Sequence, residues 1–261
     1  MALTAMTVLT GCSSLSKKFP FDVKKDFVFL KDRPDLKMDV YRPQAAGRLP
    51  VVLVIHGGGW RSRSGNMASI CRDLAAQGFF ALNVTYRLSP RHIYPAALDD
   101  VRTILKYVRE APAEFGADPE RVFVWGFSAG GHLALMLGLP ANSGIKAIVA
   151  GAAPSNLSAY PGSPLVKMFL GKNRDDDPEL WKSASPISYV SKKSPPVYMY
   201  HGKSDMIVGV DQTRAMKVLL EKNGVPVEAK EIGWGSGHIS TYLFSQSAVD
   251  EGIAFLLRWS R

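Results

Sequence analysis

Gly126-Phe127-Ser128-Ala129-Gly130-Gly131 stands where the apolar run Arg121-Val122-Phe123-Val124-Trp125 gives way to the helix-forming stretch His132-Leu133-Ala134-Leu135-Met136-Leu137. The pattern reads as a strand-to-helix elbow that carries a serine. A serine hydroxyl is inert at its own pKa, and a G-x-S-x-G elbow is built to expose and activate it. The flanking glycines remove the side chains that would crowd the turn, so the hydroxyl stands above the sheet and the neighbouring N–H groups face an incoming carbonyl. The feature points to acyl transfer, and it needs partners in the right order and context.

The partners follow. On this kind of elbow the chain order is nucleophile, acid, histidine. Downstream of Ser128, His201-Gly202-Lys203-Ser204-Asp205 comes after the strand-like Pro196-Val197-Tyr198-Met199-Tyr200, and Gly235-Ser236-Gly237-His238 comes after Val227-Glu228-Ala229-Lys230-Glu231-Ile232. Both candidates therefore sit on loops after strands, where a doubly wound sheet places its chemistry. Upstream, Val51-Val52-Leu53-Val54-Ile55 runs into His56-Gly57-Gly58-Gly59-Trp60, a turn that can offer backbone donors to a developing oxyanion.

These stretches, with Tyr86-Arg87-Leu88-Ser89-Pro90, Tyr94-Pro95-Ala96-Ala97-Leu98-Asp99-Asp100 and Asp118-Pro119-Glu120-Arg121, resemble the α/β-hydrolase carboxylesterases. Within them the likeness is to the hormone-sensitive-lipase-like and feruloyl/acetyl-esterase-like branches, and it runs from about Asp26 to the C-terminus. The resemblance implies Ser128 as nucleophile, Asp205 as acid and His238 as base, with the N–H groups of Gly58, Gly59 and Ala129 as oxyanion hole. Phe127 departs from the lipase-like branch, which often has Asp there, and is similar to acetyl, feruloyl and formamide-cleaving esterases. That draws the expected substrate toward small acyl groups. Val208-Gly209 stands where a proline is usual after the acid, which leaves the shape of that loop open.

A chain of 261 residues with 46% hydrophobic residues can bury a full core as one α/β domain. Strands are expected near 25–30 and 36–41 as an antiparallel edge pair, then near 50–55, 79–85, 121–125, 146–151, 196–200 and 227–232. Helices near 66–77, 95–110, 129–138, 211–223 and 240–259 alternate with them, which predicts a mainly parallel sheet flanked by helices. Residues 158–195, rich in Pro, Ser and charge, are too long for a simple turn and read as a lid-like insertion. The expected organisation is a signal over 1–11, a tether over 12–18 and a catalytic domain over 19–261.

The net charge of +9 is spread without a dense block or interleaved aromatics, so it reads as a basic surface suited to anionic surroundings and no nucleic-acid partner is expected. The uncharged run Ala2 to Thr10 ends in Leu9-Thr10-Gly11-Cys12, which resembles a bacterial lipoprotein signal with its lipobox. The resemblance implies cleavage before Cys12, acylation of its thiol and a place in the cell envelope, although a positive n-region is missing; without such a signal the protein would be cytoplasmic. No other stretch approaches the roughly 18 apolar residues of a transmembrane helix, so a membrane link would run through lipid. Cys71 is then left alone in a helical segment and reads as a buried structural thiol.

No H-x-x-x-H pair or cysteine cluster supports a metal site, and Asp175-Asp176-Asp177 is better explained as the start of a helix than as a calcium loop. No cofactor is expected. His56 reads as ordering its glycine turn, His132 as packing near the site, His201 as structural and His92 as a loop residue. Asp211 rivals Asp205 as the acid but opens a helix, where an acidic residue favours the N-terminus. Asp99 and Asp100 sit in a helix ahead of the nucleophile and read as structural. Trp60 and Trp234, beside the oxyanion turn and the histidine loop, are candidate walls of a substrate pocket. The expected function is hydrolysis of small acyl esters, with deacetylase and feruloyl or acetyl-xylan esterase activity within that reading. Two alternatives use the same chain: an arylformamidase-like amide hydrolase, and a ligand-binding protein on a hydrolase fold that has lost catalysis.

Overall fold

The computed structural model describes residues 18–64, 67–110 and 116–261. The signal, the lipidation site Cys12 and nearly all of the tether lie outside these residues. Among the described residues eight strands form one sheet: β1 (Phe21–Val28), β2 (Lys37–Pro43), β3 (Leu49–Ile55), β4 (Phe80–Val84), β5 (Ala117–Phe127), β6 (Ile148–Gly151), β7 (Val197–Gly202) and β8 (Val227–Ile232). Their spatial order is β1-β2-β4-β3-β5-β6-β7-β8. β1 pairs antiparallel with β2, and β2 with β4, whereas β4 through β8 run parallel. The expected antiparallel edge and parallel body are both present.

Helices cover the two faces: α1 (Ala68–Ala76), α2 (Ala96–Glu110), α3 (Ala129–Gly138), α4 (Pro164–Leu170), α5 (Pro178–Ser183), α6 (Asp211–Lys222), α7 (His238–Phe244) and α8 (Gln246–Trp259). The strand period of two decides which core each residue joins. In β3, Val51, Leu53 and Ile55 pack with α2 and α3 residues such as Val101, Ile104 and Leu133. Val52 and Val54 point the other way, toward Ile70 and Leu74 of α1 and Ile253 and Leu256 of α8. A strand buried on both faces must be apolar throughout, which is why this stretch lacks alternation. Cys71 lies in the second core, fully buried, where desolvation pushes its thiol well above the usual range.

Two expectations need correction. The helix expected over 240–259 is two helices, because Ser245 (φ −100°, ψ 43°) leaves helical geometry and separates α7 from α8. The break lets α7 carry His238 while α8 packs on the sheet. β5 also starts earlier than expected, at Ala117, since Leu49 and Pro50 pair with Ala117 and Asp118 before the register shifts to Val51 opposite Val122. The extra residues form a bulge, closed by Arg121, which donates to Asp118 Oδ2 at 2.7 Å, to Arg48 O and to Ser260 O.

The elbow between β5 and α3 is the tightest part of the fold. A methyl on Gly126 would meet the Gly130 carbonyl oxygen at 2.1 Å, and one on Gly130 would meet the Ile55 carbonyl oxygen at 2.1 Å. Both obstacles are backbone and cannot swing away. Gly130→Ala should therefore lower unfolding stability by about 2–3 kcal/mol, the range for overpacking a rigid site. An unchanged urea midpoint in that variant would show that the strand and helix are not in this contact.

Candidate active site

Ser128 sits at the top of the elbow with φ 55° and ψ −122°. Positive φ is rare for a residue with a Cβ and signals a backbone held by its surroundings. Here the Ser128 N–H donates to Gly151 O at 2.8 Å, and the His132 N–H donates to Ser128 O at 2.9 Å, so the strained residue is tied into β6 and α3. The side chain faces His238, the first residue of α7.

Three distant segments meet here. The Ser128 hydroxyl lies 2.8 Å from His238 Nε2, and His238 Nδ1 lies 2.6 Å from Asp205 Oδ2. Asp205 is acceptor-only when ionised, so Nδ1 carries the proton donated to it and Nε2 is left to accept from the serine. Oδ1 of Asp205 accepts the N–H groups of Ile207 and Val208, each at 2.9 Å. Burial acts to raise the Asp205 carboxyl, but the hydrogen bonds with His201, His238 and Val208 prevail and hold it far below the usual carboxylate range. Asp211, the rival acid, lies instead in the first turn of α6.

His201 supports this acid from below. It is fully buried, with Nε2 2.8 Å from Val208 O and 3.4 Å from Asp205 Oδ2, and Nδ1 2.8 Å from the Thr213 hydroxyl on α6. The loop Asp205 to Val208 thus closes on itself around the carboxylate without the usual proline.

The glycine turn after β3 lies against the elbow: a Cβ on Gly57 would be 3.4 Å from Ser128 Cβ. Gly58 (φ 109°) and Gly59 (φ 58°) take conformations that L side chains rarely adopt. Among the described residues no backbone carbonyl accepts the N–H of Gly58, Gly59 or Ala129. For Ala129 the reason is general, since it opens α3 and the first helical N–H groups lack partners. His56 stacks on Tyr86 at 4.3 Å and pairs through Nδ1 with Gly57 O at 2.7 Å, which orders the turn.

Trp60 ends that turn, buried and stacked on Phe169 of α4 at 4.4 Å. Its Nε1–H donates to His132 Nδ1 at 3.3 Å, and His132 Nε2 lies 2.8 Å from Ala184 O. Accepting at one nitrogen and donating at the other fixes a neutral imidazole. Turn, elbow helix and insertion are joined through these two side chains.

Two cavities flank Ser128. The smaller, about 50 Å³, is walled by Gly59, Trp60, Ala129, Tyr160, Val166 and Val208 among others. The larger, about 390 Å³, is walled by Gly57, Gly58, Phe127, His238, Ile239 and Tyr242 among others. Leu165 and Ile207 border both. Trp60 thus lines a cavity as expected. Trp234 does not: it is 81% exposed, with the Lys203 ammonium 5.9 Å from its ring, because the turn at Gly233 to Gly235 carries it outward. Sequence reasoning missed Tyr160, Leu165, Val166, Ile207, Ile239 and Tyr242; an apolar segment at 164–170 signalled part of this, but nothing in it indicated which residues face Ser128.

Fold and site together define an α/β-hydrolase with a serine, histidine and aspartate in hydrogen-bonded sequence. A family model described as BD-FAE matches residues 38–220, and the chain belongs to that family. It is 29% identical to the esterase LipC of Mycobacterium tuberculosis over 81% of its length and 31% identical to the esterase LipQ of the same organism over 72%. It spans 58% and 50% of those two proteins. Its fold matches the structure of a truncated carbohydrate esterase from gut microbiota with a TM-score of 0.84 at 22% identity, covering 94% of this chain and 98% of that one.

Burial lowers the pKa of both His56 and His132 to about 4, against the weaker opposing effect of their bonds to Gly57 and Ala184. The unfolded chain binds protons on these imidazoles near pH 6.5, and the folded chain refuses them until about pH 4. Stability should therefore hold above pH 6.5 and fall as pH drops from 6.5 to 4, by up to about 1.4 kcal/mol per pH unit for each histidine. His132→Asn should flatten the dependence of melting temperature on pH in that window. An equally steep dependence in the variant would rule out a buried neutral His132.

Proposed function

We propose that the protein is a serine carboxylesterase that cleaves esters of short carboxylic acids through an acyl-enzyme. The observation that carries this reading is the unbroken hydrogen-bond path from Ser128 through His238 to Asp205. His238 Nε2 takes the hydroxyl proton as Ser128 Oγ attacks the ester carbon. Asp205 holds the tautomer and stabilises the imidazolium that forms. The carbonyl oxygen, now an oxyanion, is received by the N–H groups of Gly58, Gly59 and Ala129, donors that need no reorganisation. His238 then gives its proton to the leaving alcohol oxygen, and a water activated by the same imidazole releases the acid.

Which cavity takes which half follows from proton transfer. The leaving oxygen must lie within reach of His238, so the alcohol enters the cavity that His238 lines and the acyl group enters the other. The acyl side, about 50 Å³ against about 390 Å³ for the alcohol side, is much the tighter of the two and favours short acyl groups. That supports acetyl and propionyl esters. The insertion walls this side through Tyr160, Leu165 and Val166, and in this reading it sets acyl length.

Ser128→Ala should lower kcat on 4-nitrophenyl acetate by at least about 10⁴-fold with an unchanged circular dichroism spectrum. Turnover in the wild type should fall steeply beyond propionate. Equal rates in the variant, or a preference for octanoate or for N-formylkynurenine, would each reject the corresponding part of the reading.

We also propose that Cys12 is acylated and tethers the enzyme to the cell envelope, a reading supported by the Leu9 to Cys12 pattern. In a bacterial host, alkyne-tagged palmitate should label the full chain and not Cys12→Ser. Equal labelling of both would dismiss the anchor.

A further inference from the structure

We infer that the alcohol half of the substrate is apolar and that the 390 Å³ cavity beside His238 binds it; this rests on the esterase reading above. At about 390 Å³ against about 50 Å³ on the acyl side, the cavity is large for a leaving group. Its wall decides what that group can be.

Apart from Ser128 and His238, which bond to each other, the polar side chains among its described lining residues are Ser64 and Tyr242. The rest of the described wall is the apolar side chains of Phe127, Leu165, Ile207 and Ile239 and the backbone of Gly57, Gly58 and Gly59, with the Tyr242 ring 5.2 Å from that of Phe127. A sugar entering here would give up water from the hydroxyls it turns inward and find two side-chain hydroxyls in return. Unpaired polar groups are penalised more heavily than made hydrogen bonds are rewarded. An alkyl or aryl chain gives up no hydrogen bonds to water by entering.

The rim continues the same chemistry. Ile207 is 56% exposed and Ile239 is 65% exposed, so each presents apolar surface that a bound alcohol would remove from water. Leu243, one helical turn beyond Ile239 on α7, is exposed, as are Phe244 after it and Met206 before Ile207. Isolated exposed apolar residues are ordinary; Ile207 and Ile239 belong to the cavity wall itself, and Leu243 continues the Ile239 face of the histidine helix beyond it.

The test compares ethyl, butyl and hexyl acetate with a methyl xyloside carrying one acetyl group. The inference expects kcat/KM to rise about two- to fourfold per added methylene and to exceed that for the xyloside. Ile239→Ser should lower the hexyl-to-ethyl ratio by about fivefold or more. A flat series, a preferred xyloside, or an unchanged ratio in Ile239→Ser would each overturn the inference while leaving an active esterase. If the wild type cleaves none of these esters, the esterase reading fails and binding decides the inference separately. Calorimetry on Ser128→Ala should then detect hexyl acetate, more weakly after adding Ile239→Ser, and no xyloside; absence of hexyl acetate binding would overturn it.

Discussion

The end of β3 and the start of α3 press together until there is no room for a methyl group between Gly130 and the Ile55 carbonyl, nor between Gly126 and the Gly130 carbonyl. This backbone contact forces Ser128 into its left-handed conformation, and it brings the turn after β3 against the serine. The spacing between nucleophile and candidate oxyanion donors is therefore set by main chain on both sides. Side-chain rotamers do not enter it, which is the condition under which such donors act most strongly.

Around that rigid centre the remaining pieces are held by buried histidines. His201 braces the acid loop against α6 through Thr213 and Val208. His132 joins Trp60 of the glycine turn to Ala184 of the insertion. Each imidazole can accept at one nitrogen and donate at the other, so one side chain bridges two backbone segments that no strand or helix connects. A buried histidine does in this fold what a short β-ladder does elsewhere.

The sheet and its order of elements were readable because the inner parallel strands β3 to β7 are mostly apolar runs between turn residues, and because helices such as 96–110 keep helical spacing; β8, Val227-Glu228-Ala229-Lys230-Glu231-Ile232 at the edge, carries the weaker pattern of a strand with an open side. The meeting of Ser128, His238 and Asp205 was readable for a different reason. The elbow needs small residues at fixed offsets, and the acid and base must follow later strands, so the order of the chain carries the geometry. What escaped reading depends on direction. Whether Trp234 points into a cavity or into water turns on the backbone at Gly233 to Gly235, and its apolar bulk says nothing about that. The break at Ser245 escaped because α7 and α8 share one periodic pattern across it. The walls supplied by Tyr160, Leu165 and Val166 escaped because they belong to a segment whose Phe169 packs on Trp60 and His132, far away in sequence.

Leu165 and Ile207 stand on the boundary of both cavities and form a shared partition beside the serine. In the esterase reading proposed above, a change in either residue would alter tolerance for both halves of an ester at once. Tyr160 and Val166 on one side, and Ile239 and Tyr242 on the other, are free of that coupling. In the esterase reading, acid and alcohol preference can be altered separately through the outer residues and only together through the partition.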